Sequence, residues 1–303
     1  MNIVIRVNDE IKKKMIEYYK DKVRDKVIPY VVFQAQEEDT VITMYESGKV
    51  MFQGVSADVD ASMWTVMLEN TDQKKEEKKK ENKKYYNCNQ VGSDEVGTGD
   101  YFGPIVVTAC YVKKEDIPLL EKLGVGDSKK IDDSKILTIA KELAKNISYK
   151  SVILTNSEYN EKYNKNVNMN KIKAIMHNKA LYQLVHENSF PYDYIMVDEF
   201  AREARYYEYL EGQPAIQKGI TFMTKAEDIS PAVACASIIS RYIFLKEFDK
   251  MCDEIHIPLP KGAGKDVDKM GEEVVEKYGE EKLKEIAKMN FKNTERILHT
   301  LIY

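Results

Sequence analysis

Apolar and polar positions alternate along residues 2–7, NIVIRV, as they do in a strand with one buried face. Residues 9–23, DEIKKKMIEYYKDKV, instead place Ile11, Met15, Tyr18 and Tyr19 at helical intervals. Three strand patterns follow, YVVFQAQ at 30–36, TVITMYE at 40–46 and KVMFQG at 49–54, with Glu46-Ser47-Gly48-Lys49 as a hairpin turn. Ser56 then opens a helix over ADVDASMWTVMLEN. The order β-α-β-β-β-α predicts a curved antiparallel sheet with helices on one face and the other face open. Open faces of this kind commonly bind something. Residues 1–70 carry nine Lys or Arg against twelve Asp or Glu, so this unit is not a simple basic clamp.

From residue 86 the pattern changes. Strands are predicted at 90–95, 104–112, 149–154, 193–198 and 219–223, and helices at 134–146, 168–188, 202–210, 230–254, 266–277 and 280–288. Early strands lie close together and later ones alternate with helices, which predicts an α/β domain: a mixed sheet flanked by helices. The clearest helix start is ISPAVACASIISRYIFLKEF, where Ser230 suits the N-cap and Pro231 the first helical position. Its Ala232, Ala234, Ala236 and Ser237 are small enough to let a helix lie close to a sheet.

The two patterns are separated by DQKKEEKKKENKK, residues 72–84, which has no apolar residue and carries seven Lys against three Glu from Lys74 to Lys84. Such a run buries too little area to offset its ordering entropy, so it reads as a linker or a frayed helix, either a solvated tether or a basic arm touching a polyanion. The expected organisation is an N-terminal domain over 1–71, a charged linker over 72–85 and a second domain over 86–303.

Composition narrows the setting. The chain has 303 residues, is 43% apolar and 32% charged, and carries a formal net charge of −4, so any nucleic-acid site must be a local patch. No apolar run approaches the ~20 residues that span a bilayer. The opening MNIVIRVNDEIKKK lacks a signal-peptide core, and Cys88, Cys110, Cys235 and Cys252 are scattered singly, so a cytoplasmic protein with reduced cysteines is expected.

Candidate chemistry comes from acids at strand ends. Asp94-Glu95 precedes a glycine turn in VGSDEVGTGDYFGPIVV, Asp198 ends the strand in YDYIMVDEF, and Glu227-Asp228 stands before Ser230 in ITFMTKAEDIS. Carboxylates converging at strand ends repel one another unless a divalent cation neutralises them, and all-oxygen ligation favours Mg2+ or Mn2+ over zinc. Two such ions suit phosphodiester cleavage. The bland reading of each acid is a turn former or helix cap, and Asp228 is expected to be a local cap. Neighbours on a regular strand face opposite ways, so Asp94 and Glu95 share a site only if the strand twists or ends there.

These motifs carry a resemblance. GSDEVGTGDYFGPIVV resembles the first signature of the type 2 ribonucleases H, the ribonuclease HII and HIII families. GVGDSKKI, MVDEF, TKAEDISPAVACASIISR, PLPKGAGKDVD and FKNTERI resemble their later segments, and the set spans residues 91–297. Thr98 between the glycines and Glu227 as last acid favour HIII, as does a separate N-terminal unit similar to half of a TATA-binding protein. The resemblance implies a ribonuclease H-like fold, with Asp94, Glu95, Asp198 and Glu227 as catalytic metal ligands. It further implies hydrolysis of the RNA strand of RNA/DNA hybrids, leaving 5′-phosphate and 3′-hydroxyl ends. Gly97, Thr98 and Gly99 would let backbone amides approach the nucleic acid, and Lys129 and Lys225 would be either phosphate contacts or plain surface lysines. No organic cofactor and no membrane partner are implied, and a monomer is expected. Cleavage at single embedded ribonucleotides and a non-catalytic hybrid-binding protein stay open as alternatives.

Other signals are set aside. KGAGK at 261–265 lacks the remaining Walker positions, because Leu259 and Asp266 stand where a glycine and a Ser or Thr are needed. His177, His186, His256 and His299 have no metal spacing and are expected to be ordinary surface or packing histidines, and REARYYEYL is expected to pack a helix.

Overall fold

The computed structural model describes residues 1–24, 28–125 and 131–300, with the side chains of 69–81 and 300 outside the description. The chain divides into two compact units, Met1–Asn82 and Lys83–Tyr303. The first contains β1 (Asn2–Arg6), α1 (Asp9–Tyr19), β2 (Val31–Glu37), β3 (Thr40–Tyr45), β4 (Lys49–Gly54) and most of α2 (Ala57–Tyr86). Its sheet runs β1-β4-β3-β2, antiparallel throughout. Register aligns Ile3, Phe52, Ile42 and Ala35 in one row across the strands, and Ile5, Val50 and Met44 in the next. These rows pack on Ile11, Met15 and Tyr19 of α1 and on Ala57, Ala61 and Trp64 of α2. Trp64 is buried and its Nε1 donates to the Tyr19 hydroxyl at 3.0 Å. On the opposite face Val4 and Val32 stay exposed and Gln34 donates to Thr43 at 3.1 Å.

Residues 72–84, read from the sequence as a linker or frayed helix, lie within the continuous helix α2. Lys and Glu are good helix formers, so the run can continue a helix that Ala57, Ala61 and Trp64 have already anchored.

The second unit is built on the sheet order β7-β6-β5-β8-β9. Its strands are β5 (Gln90–Val96), β6 (Ile105–Val112), β7 (Ser148–Leu154), β8 (Tyr194–Asp198) and β9 (Ile220–Met223). β5, β6 and β7 pair antiparallel, whereas β5–β8 and β8–β9 are parallel, giving the expected mixed sheet. In chain order the helices are α3 (Ile117–Leu123), α4 (Asp133–Asn146), α5 (Asn156–Lys162), α6 (Met169–Glu187) and α7 (Glu203–Tyr209). They continue with α8 (Pro231–Ile255), α9 (Lys265–Tyr278), α10 (Glu280–Ile286) and α11 (Lys292–Thr300). Patterning passed over α3, α5 and α11, which have seven to nine residues. All four cysteines are free, and Tyr206 of REARYYEYL lies in the core as expected.

β6 is buried along its whole length because both of its faces are covered. Val106, Cys110 and Val112 face a cluster with Ala232, Cys235 and Ala236 of α8, while Ile105, Val107, Ala109 and Tyr111 face one with Ala174 and Leu181 of α6. Ser230 caps α8 by accepting from Val233 N–H at 3.3 Å, and Pro231 follows it. The helix then lies almost against β5: a Cβ on Gly92 would sit 2.5 Å from Val233 N and 2.8 Å from Ala232 C. Only a residue without a side chain fits there, since the obstruction is helix backbone. Gly92→Ala should therefore destabilise the second unit by about 1–3 kcal/mol, read as a lowered urea midpoint in circular dichroism, whereas an unchanged midpoint would mean the helix is free to move away.

Candidate active site

The parallel pairing of β5 with β8 creates the site. Its last paired residues are Ser93 and Val197, so Asp94 and Asp198, each one residue further on, lie just past the end of this pairing while still paired on their outer sides with Thr108 of β6 and Met223 of β9. Asp198 is half-buried and its Oδ1 accepts from Ala226 N–H at 3.0 Å. That bond ties down the short turn Ala226–Asp228, which carries half-buried Glu227. Ser230 N–H closes the turn onto Ala226 O at 2.8 Å, so Glu227 is placed by the same backbone that starts α8. Lys225, exposed, enters the turn in a left-handed conformation with φ 57°. Asp228 is exposed, and the α8 cap is Ser230 rather than Asp228.

Strand alternation decides where the first two acids go. Asp94 pairs with Thr108 and Glu95 with Val107, and these β6 residues belong to opposite faces of the sheet. Asp94 lies on the α8 side, where Ser237 hydrogen-bonds its carboxyl and Ser240 donates to its carbonyl at 3.1 Å. Its Oδ1 also accepts from Glu95 N–H at 2.8 Å. Burial, then the neighbouring charge of Glu95, push the Asp94 carboxyl up to about 8, with Asp198 adding to the effect; Ser237 and the Glu95 amide oppose it.

Glu95 turns the other way, toward α6. Lys173 meets its Oε1 and His177 Nε2 lies 2.9 Å from its Oε2. An ionised carboxylate only accepts, so His177 Nε2 carries the hydrogen. Nδ1 of the same ring is 2.7 Å from Ser93 Oγ. Phe200 stacks on the imidazole at 5.4 Å between centroids and lies 4.1 Å below Lys173 Nζ. Burial alone would raise Glu95, but His177 and Lys173 outweigh it and hold the carboxyl at about 2. His177 is fully buried and is thus no ordinary packing histidine. The sequence signal that reaches it is the four-residue spacing of Lys173 and His177, which places both on one face of α6.

The glycine motif behaves unevenly. Gly97 has φ +95°, and a Cβ there would lie 2.1 Å from Pro104 O and against the Phe244 ring, so packing itself demands glycine. Gly99 faces open space, with nothing within 4 Å of where its Cβ would be, and Thr98 between them is half-buried. Lys129 lies outside the described residues.

Asp94 and Asp198 are thus brought together, Glu227 is tethered beside Asp198 through Ala226, and Glu95 is engaged on the far face. Among the described residues no three His, Cys, Asp or Glu side chains are gathered into a cluster that could hold a metal ion. The donor set nevertheless fits a hard divalent cation. All of its atoms are carboxylate oxygens, and the Asp94 carboxyl is raised first by burial and then by the charges of Glu95 and Asp198, an effect that a bound cation would oppose. Each Glu95 oxygen already accepts from a side chain, Lys173 or His177, and keeps a further lone pair.

The two shifts have opposite consequences for the metal-free protein. Glu95, held low, contributes stability above the ordinary carboxylate range and loses it as pH falls toward 2. Asp94, held high, keeps a proton in the folded state that the unfolded chain releases, so its contribution becomes more unfavourable as pH rises from 4 toward 8. In chelator, the stability gained by Asp94→Asn should grow between pH 5 and pH 8 by at least about 1 kcal/mol. Thermal melts at the two pH values check this, and a gain independent of pH would mean that Asp94 is not strained by its neighbours.

Comparison with known proteins follows the same division of the chain. Residues 91–294 match the family model described as ribonuclease HII, and residues 2–80 match one described as a domain of unknown function (DUF3378). Ribonuclease HIII of Bacillus cereus is 40% identical over 99% of this chain and 99% of its own length. Ribonuclease HIII of Bacillus licheniformis is 40% identical over 97% of this chain and 96% of its own. Among solved structures, Bst-RNase HIII in complex with Mn2+ superposes with a TM-score of 0.70 at 33% identity, covering 99% of both chains. RNase H3 of Aquifex aeolicus, 22% identical with a TM-score of 0.55 over 96% of this chain and 100% of its own, shares the fold. With the relatives spanning both units from end to end, this chain belongs to the ribonuclease HIII family.

Proposed function

We propose that this chain is an endonuclease that hydrolyses the RNA strand of RNA/DNA hybrids with Mg2+ or Mn2+, leaving 5′-phosphate and 3′-hydroxyl ends. The observation that carries the reading is the pair Asp94 and Asp198 at the carboxyl ends of parallel neighbours, with the Glu227 turn bonded to Asp198. Asp94, Glu95, Asp198 and Glu227 would be the metal ligands, and the Mn2+ bound by the Bst relative supports an ion of this class. Divalent ions held there supply an activated water and charge compensation for the departing oxygen.

The protein's own groups prepare that chemistry. Ala226 N–H and the Ser237 side chain orient Asp198 and Asp94, and Lys173 with His177 keep Glu95 ionised. The open space around Gly99 lets nucleic acid come up to the backbone, where the 2′-hydroxyl distinguishes RNA from DNA. Thr98 lines the same turn, and Lys129 and Lys225 contact phosphates, positioning the duplex without reading its sequence. The unit over 1–71 adds grip on the hybrid through its open sheet face, 72–85 joins it to the catalytic domain 86–303, and the protein works as a cytoplasmic monomer. Among the described residues no helix is long and apolar enough to cross a membrane.

The test is cleavage of three end-labelled duplexes in Mg2+, in Mn2+ and in chelator: an all-RNA strand on DNA, a single ribonucleotide within DNA, and all DNA. Metal-dependent cutting is expected on the first, weak cutting on the second and none on the third. Asp94→Asn and Glu227→Gln should each lower the hybrid rate on the order of 10³-fold, while Asp228→Asn should change it little. Equal cutting of the single-ribonucleotide duplex would instead assign HII-type activity, and a sensitive Asp228 with a tolerant Glu227 would make Asp228 the last acid of the site.

A further inference from the structure

Lys288 is the most deeply buried cation among the described residues, with none of its surface exposed. A lysine is costly to bury, and this one has no carboxylate in ion-pair contact. Its Nζ donates to two backbone carbonyls, Asp100 O at 2.8 Å and Gly103 O at 2.6 Å. These are the two ends of the loop that follows Gly97-Thr98-Gly99 and returns the chain to β6. The main chain of the same segment completes the attachment. Lys288 N–H donates to Tyr101 O at 2.9 Å, Gly103 N–H donates to Ile286 O at 3.1 Å, and Phe102 bridges to Ala287.

The platform under the loop is itself fixed. Asn160 of α5 donates to the carbonyls of Lys284 and Ala287 at 2.9 and 2.8 Å and accepts from Met289 N–H at 3.0 Å. From the side, Asp100 Oδ1 accepts from Gly262 N–H at 2.6 Å, and Tyr101 N–H donates to Gly262 O at 2.8 Å. Phe244 packs against Gly97 and Gly103, and Phe248 against Gly103, so the loop is held by apolar contacts as well. Without Lys288 two inward carbonyls would be orphaned in an apolar setting.

We infer that Lys288 is a positioning residue for hybrid recognition: its amine clamps the turn 100–103 from beneath and so fixes the Gly97–Gly99 backbone that meets the nucleic acid. This role rests on the hybrid-nuclease reading above. Lys288 cannot touch substrate, because it has no exposed surface, so its effect passes through the loop. Burial pushes its amine down to about 7. A neutral amine carries two N–H groups, which matches the two carbonyls it serves. The four acids lie on β5, β8 and the turn after β9, and none of them bonds to Lys288. Metal binding and the chemical step should therefore be nearly indifferent to it.

The experiment uses the full chain with Lys288→Met, which keeps length and removes both donors, and Lys288→Gln, which keeps an NH2 group on a shorter stem. Hydrogen exchange at the Tyr101 and Gly103 amides should run at least about tenfold faster in Lys288→Met. KM for the all-RNA/DNA hybrid should rise by a similar factor, with kcat within about threefold and Mn2+ titration unchanged; Lys288→Gln should fall between. If Lys288→Met does not fold, Lys288→Gln carries the same two measurements against the parent. Parent-like exchange in a folded variant would overturn the clamp, and faster exchange with an unchanged KM would overturn its role in recognition. A parent protein that does not cut hybrids would sink the nuclease reading, while the exchange rates would still report on the clamp.

Discussion

Two acids on consecutive residues of one strand cannot point the same way, and most of the second unit is arranged around that fact. Asp94 faces α8 and Glu95 faces α6, so each needs its own surroundings. On the α8 side the helix begins with small residues and approaches close enough for Ser237 and Ser240 to reach Asp94. On the α6 side a lysine and a histidine one turn apart hold Glu95 ionised, and the Phe200 ring packs against both. The sheet edge thus carries one carboxylate that resists ionisation and one that cannot easily lose it. Opposite tendencies from near-identical groups are what a site needs when charge must be available yet not assembled before the ligand arrives.

Placement of the remaining acids depends on strand register and on one bond from a carboxylate to the backbone. Asp198 follows from the parallel register with β5, and Glu227 follows from the bond between Asp198 and the Ala226 amide. The Glu227 turn also leads directly into the Ser230 cap, so the start of the long buried helix and the last acid are set by a single turn of chain. Pulling any one of these out of register would move all of them.

Much of this was legible in the residues themselves. The strand and helix patterns of the second unit matched its five strands and six of its described helices to within two residues, because buried strands and a well-capped helix leave strong periodic marks. Ser230-Pro231 announced its helix for the same reason. The strand-alternation conflict at Asp94-Glu95 was visible too, but not its resolution. Lys173 and His177 lie about 80 residues from Glu95 in sequence, and nothing local in α6 says which face meets β5. His177 therefore looked ordinary. Lys288 was hidden by its type, since a lysine reads as surface until its carbonyl partners are seen. The run 72–84 was readable as helix or tether because propensity and burial pull in opposite directions there.

Trp64 is the only tryptophan in the chain, and it is buried in the first unit against Tyr19. Its fluorescence consequently reports on that unit. Far-ultraviolet dichroism, dominated by the helices of the second unit, reads the larger body. A single denaturant titration followed by both signals therefore separates the two halves without cutting the chain. Coincident curves would describe one cooperative molecule; displaced curves would describe two folding units that share a peptide chain but not a transition.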